Sequence, residues 1–447
     1  MDEKDNFIYW RSKMPDKKPS DFRYNTGETQ VPWAAVGEDY NVQDVLDVVQ
    51  FLIGKNKEGY EEALKNVKES IQELSKYGKA PGKLSLGDNV THLEEKVKQY
   101  LGTKYCIFNT NATAGFEIAL RYANIGPGDE VIVPAITFIA TMVYSLGIGA
   151  KVVFADVDPR TINMDPKDVE KKITKRTKAI MPVHIGGWPV DMDPIMELAE
   201  RNNIVVIEDA AHAFGASYNG RKAGTIGHFG SYSFHEVKNI TSFGEGGILV
   251  TNLPFGEDLP KARFLGLDFS RKVENWLYDV AALKGKYDYF VAQNSSSTEI
   301  QALGLIRQLD RINEIIEIRR KNAAYLNERF KENEAIIPQL YDTEDIQSTY
   351  HLYLLQIDPQ KAGGTIQDLK KKLDEKGVTN IPHFAPLYKF DLVKKLGYDV
   401  KAITDSCPEA EKVFNERFTH LPLYGLSPEK LEYMADAVIA SVNELRG

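Results

Sequence analysis

Cysteine is nearly absent from this chain: Cys106 and Cys407 are the only two among 447 residues, and they stand far apart. Neither has metal-ligand spacing around it, so a disulfide framework and a zinc site are set aside, no metal is expected, and both thiols are read as reduced. Also missing is any apolar run near the roughly 18 residues of a membrane span. The opening segment MDEKDNFIYWRSKMPDKKPSD is charged and lacks the apolar centre of a signal peptide, so a cytoplasmic protein without membrane contact is expected. Positive charge is in deficit. With 55 Lys+Arg against 64 Asp+Glu the net charge is −9, which argues against binding nucleic acid or an anionic membrane through the overall field. No internal repeat or low-complexity tract occurs.

What remains is an ordinary globular composition, 43% hydrophobic and 27% charged, with length for one large domain and a smaller one. Residues 1–95 read as a polar arm followed by helices. In EGYEEALKNVKESIQELSKYG, residues Tyr60, Leu64, Val67, Ile71 and Leu74 recur at three- and four-residue spacing, the mark of an amphipathic helix, and a glycine ends it. Residues 96–325 alternate short apolar, β-rich runs (YCIF, EVIVP, KVVFADV, KAIMPVH, IVVIEDA, GSYSF, GGILVTN) with helical stretches. Runs apolar almost throughout suit strands buried on both faces. The expected fold is therefore α/β, a mostly parallel central sheet flanked by helices. Residues 326–447, with YHLYLLQI, TIQDLKKKLDEKG, VTNIPHFAPLY and a final helical pattern, read as a smaller C-terminal α+β domain.

Ligands of open α/β sheets collect outside the carboxyl ends of the strands, so residues just past the apolar runs are the candidates for chemistry. In SFHEVKNITSFGEGG, Lys238 sits on a short glycine-rich connection between two apolar strands, which can bury it. Burial favours the neutral amine, the form that attacks a carbonyl; the alternative is a solvated surface lysine. Asp209 ends the strand IVVIEDA, where a carboxylate has little structural use and can face a protonated pyridine nitrogen. A lysine for a Schiff base and an acid for the ring nitrogen are what pyridoxal phosphate requires. In FNTNATAGFEIALRYA a small-residue turn leads from a strand into a helix, whose first N–H groups, near Ala112 and Thr113, offer an anion site; equally, Asn111 or Thr113 caps the helix and nothing more. Ser233 stands five residues before Lys238 and can add a hydroxyl to the same phosphate.

The runs NATAGFEIAL, GDEVIVPAITFIAT, FADVDPRTINMD, TKAIMPVHIGG, VIEDAAHAFGASYNGRKAGTIG, SFHEVKNITSFGEGGILVTN, HLYLLQI and HFAPLY together resemble the DegT-type sugar aminotransferases, fold type I pyridoxal-phosphate enzymes, over residues 85 to 440. The resemblance implies that Lys238 is the Schiff-base lysine and Asp209 the partner of the ring nitrogen. It places Phe138 on the ring face, His212 beside the phenolic oxygen, and Ala112, Thr113 and Ser233 at the phosphate. Asn294 is implied to complete that site from the other subunit of a homodimer with shared sites. His184 and His383 lie in stretches that contact substrate in such enzymes, the structural reading of each standing beside it. The implied reaction moves an amino group from glutamate or glutamine to a keto-sugar, nucleotide-linked in the family, through a pyridoxamine phosphate stage, in amino-sugar biosynthesis. A pyridoxal-phosphate sugar dehydratase, a cyclitol aminotransferase and a non-catalytic binding protein are the competing readings. Two departures are visible: Ser295 and Ser296 replace the family's tyrosine and arginine, and residues 55–82 resemble an insertion that thickens a subunit contact or reshapes the pocket rim.

Overall fold

The computed structural model describes residues 40–78, 83–268, 270–271, 279–380 and 384–447. Two compact units divide between Gly87 and Asp88. The first contains helices α1 (Val42–Leu52) and α2 (Tyr60–Ser75). A capping box starts α1, with Asn41 and Asp44 each accepting the other's backbone N–H. Helix α2 is the one expected from the Tyr60–Leu74 spacing, and the Tyr60 hydroxyl ties it to the end of α1 through the Ile53 carbonyl at 2.6 Å.

The second unit opens with α3 (Asp88–Leu101), whose Val90, Leu93, Val97 and Leu101 form a buried stripe. Its first-turn N–H groups at Asn89 and Val90 are taken up by the Glu299 carboxylate. Seven strands follow: β1 (Tyr105–Asn109), β2 (Glu130–Pro134), β3 (Lys151–Ala155), β4 (Thr177–Ile180), β5 (Val205–Asp209), β6 (Phe229–Ser233) and β7 (Gly247–Thr251). They build one sheet in the order β1-β7-β6-β5-β4-β2-β3. Only β7 runs against the others, pairing antiparallel with both β1 and β6. Helices α4 (Ala112–Tyr122), α5 (Ala140–Gly147), α6 (Pro166–Lys172) and α7 (Met192–Asn202) form the crossovers.

The unbroken apolar runs have their explanation in this layering. Val131, Val133, Val205 and Ile207 enter the core on one sheet face, and Ile132 and Val206 enter the core on the other. Successive side chains alternate sides, yet both sides are covered, so a polar residue has no face to occupy. Each such burial contributes roughly 1.5–3 kcal/mol relative to exposure.

Helices α8 (Glu299–Leu309) and α9 (Ile312–Phe330) lead to a second, antiparallel sheet of β8 (Ile336–Ile337), β9 (Tyr353–Ile357) and β10 (Phe418–Leu421), with β9 central. α9 runs without a break through residue 325 and gives Leu326 and Phe330 to the core of this smaller part. Helices α10 (Ile366–Glu375) and α11 (Pro428–Arg446) complete that core with Leu369, Leu373 and Val438. Cys106 and Cys407 are both free and buried.

Candidate active site

A cavity of about 550 Å³ opens at the carboxyl ends of the parallel strands. Residues just past β1, β2, β5 and β6 form most of its wall, and the segments flanking β9 and β10 close one side. Such a placement is the rule for open α/β sheets.

The start of α4 forms one end of the wall. Asn111, extended at the N-cap, accepts from the Ala114 N–H at 3.0 Å, which leaves the N–H groups of Ala112 and Thr113 without a partner inside the helix. Ser231, on β6, donates to the Ala112 carbonyl at 2.9 Å and fixes the turn from below. The backbone of β7 approaches so closely that a Cβ at Gly247 would stand 2.1 Å from the Asn111 carbonyl carbon. Ser233, half-buried at the end of β6, accepts from the His235 N–H at 3.3 Å and keeps its own hydrogen to donate into the cavity.

Asp209 ends β5 at the cavity floor and is 4% exposed. Its Oδ2 accepts from the Thr141 hydroxyl at 2.8 Å and its Oδ1 from the Ala211 N–H at 3.2 Å. Burial raises its pKa, while these two donors and the Lys238 ammonium pull it down. Lys238 is half-buried in a loop that folds back on itself through bonds from Phe234 to Gly246 and from Glu236 to Gly244. Burial brings its pKa down to about 8, against the opposing pull of Asp209. Near physiological pH such an amine is still mainly protonated, but its neutral fraction is far larger than that of an ordinary lysine. Phe138, after β2, presents an aromatic face that is 54% exposed at the rim.

Ala112, Thr113, Phe138, Asp209, His212, Ser233 and Lys238 thus line one cavity. Asn294 is exposed and is not on that wall; its Oδ1 accepts from the Ser296 hydroxyl and N–H. Ser295 is buried, and its carbonyl accepts from the Thr110 N–H. His184 is the expectation that changes. It is fully buried, off the cavity wall, with Nδ1 accepting from the Val190 N–H and Nε2–H directed at Glu208. Both ring nitrogens are occupied, so in this structure His184 braces Glu208 and does not face a substrate. His383 lies outside the described residues, although Phe384 beside it lines the cavity.

Two further wall residues were not among the candidates, although His351 opens the run HLYLLQI. His351, just before β9, stacks on His212 with ring centroids 4.5 Å apart, and Tyr424, after β10, lies on the same side. They sit more than a hundred residues from Lys238, and only tertiary folding brings them to it. A half-exposed pair, His235 and Glu245, stands at the mouth with Nε2 and Oε1 3.8 Å apart. Among the described residues no cluster of side chains is arranged to hold a metal ion, and no helix is long and apolar enough to cross a membrane.

Comparison with known proteins completes the picture. Residues 41–439 match the DegT/DnrJ/EryC1/StrS aminotransferase family. The spore coat polysaccharide biosynthesis protein SpsC of Bacillus subtilis (strain 168) is 35% identical over 390 residues, spanning 85% of this chain and 94% of its own length. GDP-perosamine synthase of Caulobacter vibrioides is 36% identical over 329 residues, spanning 72% and 83%. Among solved structures, Spr1654 of Streptococcus pneumoniae, assigned as a sugar aminotransferase, superposes in its PMP form with a TM-score of 0.72 at 27% identity, covering 85% of this chain and 96% of that one. Its PLP form gives 0.71. The aminotransferase TlmJ of Streptoalloteichus hindustanus gives 0.72 at 27% identity, covering 88% and 98%. The protein is a pyridoxal-phosphate-dependent aminotransferase of fold type I, grouped with the sugar aminotransferases. With its match running from residue 41 to 439 and relatives above 30% identity over most of their length, the chain belongs to the DegT/DnrJ/EryC1/StrS aminotransferase family.

Proposed function

We propose that this enzyme transfers an amino group from glutamate or glutamine to a keto-sugar carried on a nucleotide, with Lys238 as the cofactor lysine and Asp209 as the partner of the ring nitrogen. The observation that carries the reading is Lys238 itself, a half-buried amine with its pKa near 8 on the same cavity wall as a buried carboxylate. The donor set fits pyridoxal phosphate. Two helix-start N–H groups and the Ser233 hydroxyl suit a phosphate dianion, Phe138 offers a half-exposed aromatic ring on the cavity wall, and Asp209 keeps lone pairs beyond those used by Thr141 and Ala211. The volume lies within the usual range of small-ligand pockets, about 300–1,000 Å³.

Bound pyridoxal phosphate supplies the electron sink that acidifies the carbon bearing the amino group. Asp209, ionised, holds the proton on the ring nitrogen. With the cofactor bound, Lys238 would be the group that removes the proton from the donor α-carbon and delivers it to C4′, and that makes the reverse transfer for the sugar ketone. An amine with its pKa near 8 suits both directions. His212, buried, stacked on His351 and packed against Phe384 at a tilt, would face the phenolic oxygen. A lysine at 238 favours transfer over dehydration, which in the related dehydratases goes with a histidine there.

In the same reading the enzyme is a cytoplasmic homodimer whose sites are shared, with Asn294 reaching the partner's phosphate site. Asn294 is exposed and off its own cavity, Ile300 six residues on is an exposed apolar side chain, and so is Leu265, whose N–H donates to the Gln293 carbonyl at 3.0 Å. Incubation with pyridoxal phosphate, glutamate or glutamine, and a panel of nucleotide-linked keto-sugars tests the assignment. Keto-acid release that depends on the sugar supports it; release with a cyclitol ketone alone overturns the sugar assignment.

A further inference from the structure

Tyr350 is buried, 4% exposed, and has φ +42°, a left-handed conformation that a bulky side chain adopts only when its surroundings force it. The surroundings are a tight interlock. Ser348 donates to the Gly187 carbonyl at 3.0 Å, and the His351 N–H donates to the Gly186 carbonyl at 2.8 Å. Gly186 and Gly187 both have positive φ, and a Cβ at Gly187 would stand 2.2 Å from the Thr349 hydroxyl. The strain at Tyr350 has a visible result: the next residue, His351, is aimed into the cavity wall.

Once there, the imidazole is fixed from several sides. Its ring stacks on His212 at 4.5 Å and an interplanar angle of 20°. Its carbonyl accepts from the buried Arg319 guanidinium at 3.1 Å. Its Nδ1 lies 2.9 Å from Oδ1 of Asn239, the residue that follows Lys238. Asn239 gives its amide N–H to the Thr349 carbonyl at 3.3 Å, so its oxygen faces the ring and Nδ1 carries the proton. Burial holds the His351 pKa well below the ordinary value, with His212, Lys238, Arg319 and His420 adding to it, and the ring is neutral.

We propose that His351 is a positioning residue for Lys238: through Asn239 it ties the lysine loop to the strained turn at Tyr350 and keeps the amine seated in the cavity wall. The inference rests on reading Lys238 as the reactive lysine. Without the His351 ring the loop keeps only the longer Asn239–Thr349 bond to this turn through Asn239, the amine gains water, and its affinity for a proton rises. The titratable groups lining the cavity with Lys238 are Asp209, His212, His235, Glu245, His351 and Tyr424.

The test uses cofactor-free protein, so its outcome is independent of turnover. The rate at which an amine-reactive acylating reagent labels Lys238, read by peptide mass spectrometry across pH, gives the pKa of the amine. Wild type should report about 8. His351→Leu and Asn239→Ala should each raise it by about one unit, and the double variant should go no further than either. His351→Gln, whose amide can donate to the same oxygen, should restore the wild-type value. Folded Asn239→Ala and His351→Leu proteins with the lysine pKa unchanged, even if their melting temperatures fall, overturn the proposal. So does additivity in the double variant. A protein that shows the expected shifts but takes up no pyridoxal phosphate would instead sink the assignment of Lys238 to the cofactor.

Discussion

The Thr141 hydroxyl, in the first turn of α5, donates to Oδ2 of Asp209 at 2.8 Å inside the core. The bond favours the ionised carboxylate where burial disfavours it, and the ionised form is the one that holds a proton on a ring nitrogen. Thr141→Val keeps the shape and removes the donor. It should cost about 1–3 kcal/mol and weaken pyridoxal phosphate binding about tenfold for each 1.4 kcal/mol. Fluorescence titration of the cofactor-free variant measures this, and an unchanged Kd would count against Asp209 as the nitrogen's partner.

Lys238 links cofactor chemistry to stability. Its folded pKa of about 8 lies below the ordinary 10.5, so between those values the unfolded chain binds more protons than the folded one and stability rises with pH. Below pH 8 the buried charge is a full liability. Relative to Lys238→Met, cofactor-free wild type should gain up to about 3 kcal/mol between pH 8 and 10.5 in urea unfolding. Parallel curves for the two proteins would mean the amine is not desolvated.

Gly247 leaves room for the Asn111 backbone at the start of α4. A Cβ there would come within 2.1 Å of the Asn111 carbonyl carbon and 2.4 Å of its oxygen, which are backbone and cannot swing aside, and 2.4 Å of the Asn109 side-chain oxygen. Gly247→Ala should displace the first turn of α4 and loosen binding of inorganic phosphate and pyridoxal phosphate together, by tenfold or more at about 1.4 kcal/mol. Isothermal titration with each ligand separates this from a general loss of fold, which would abolish both heats.

His184 gives a contrasting case. Because its Nε2–H serves Glu208, whose carboxylate also accepts from the Gly224, Ile226 and Gly227 N–H groups, His184→Leu should cost about 3 kcal/mol of stability. The KM for donor and acceptor in the folded fraction should not move. A raised KM at undiminished stability would return His184 to the substrate site.

The parallel sheet was legible because strands covered on both faces read as continuous apolar runs, as in EVIVP and IVVIED. Asp209 and Lys238 stood out because a carboxylate at the end of such a run, and a lysine in a glycine-rich turn, have no obvious packing role. His184 looked equally exceptional in PVHIGG. The sequence cannot show that a neighbouring strand delivers Glu208 to it, since the two are joined only across the sheet. His351 and Tyr424 escaped notice for the same reason. His351 reaches the cavity through the interlock of 348–352 with Gly186 and Gly187, and Tyr424 through its place after β10; contacts between such distant segments leave no periodic trace.

The most direct test of the account is the absorption spectrum of the purified protein with pyridoxal phosphate, before and after L-glutamate, with Lys238→Ala alongside. Wild type should show a visible, yellow band that glutamate bleaches toward the ultraviolet with release of the keto acid, and the variant should lack this lysine-dependent band. A wild-type band that glutamate and glutamine both leave untouched, or an identical band in Lys238→Ala, would contradict it.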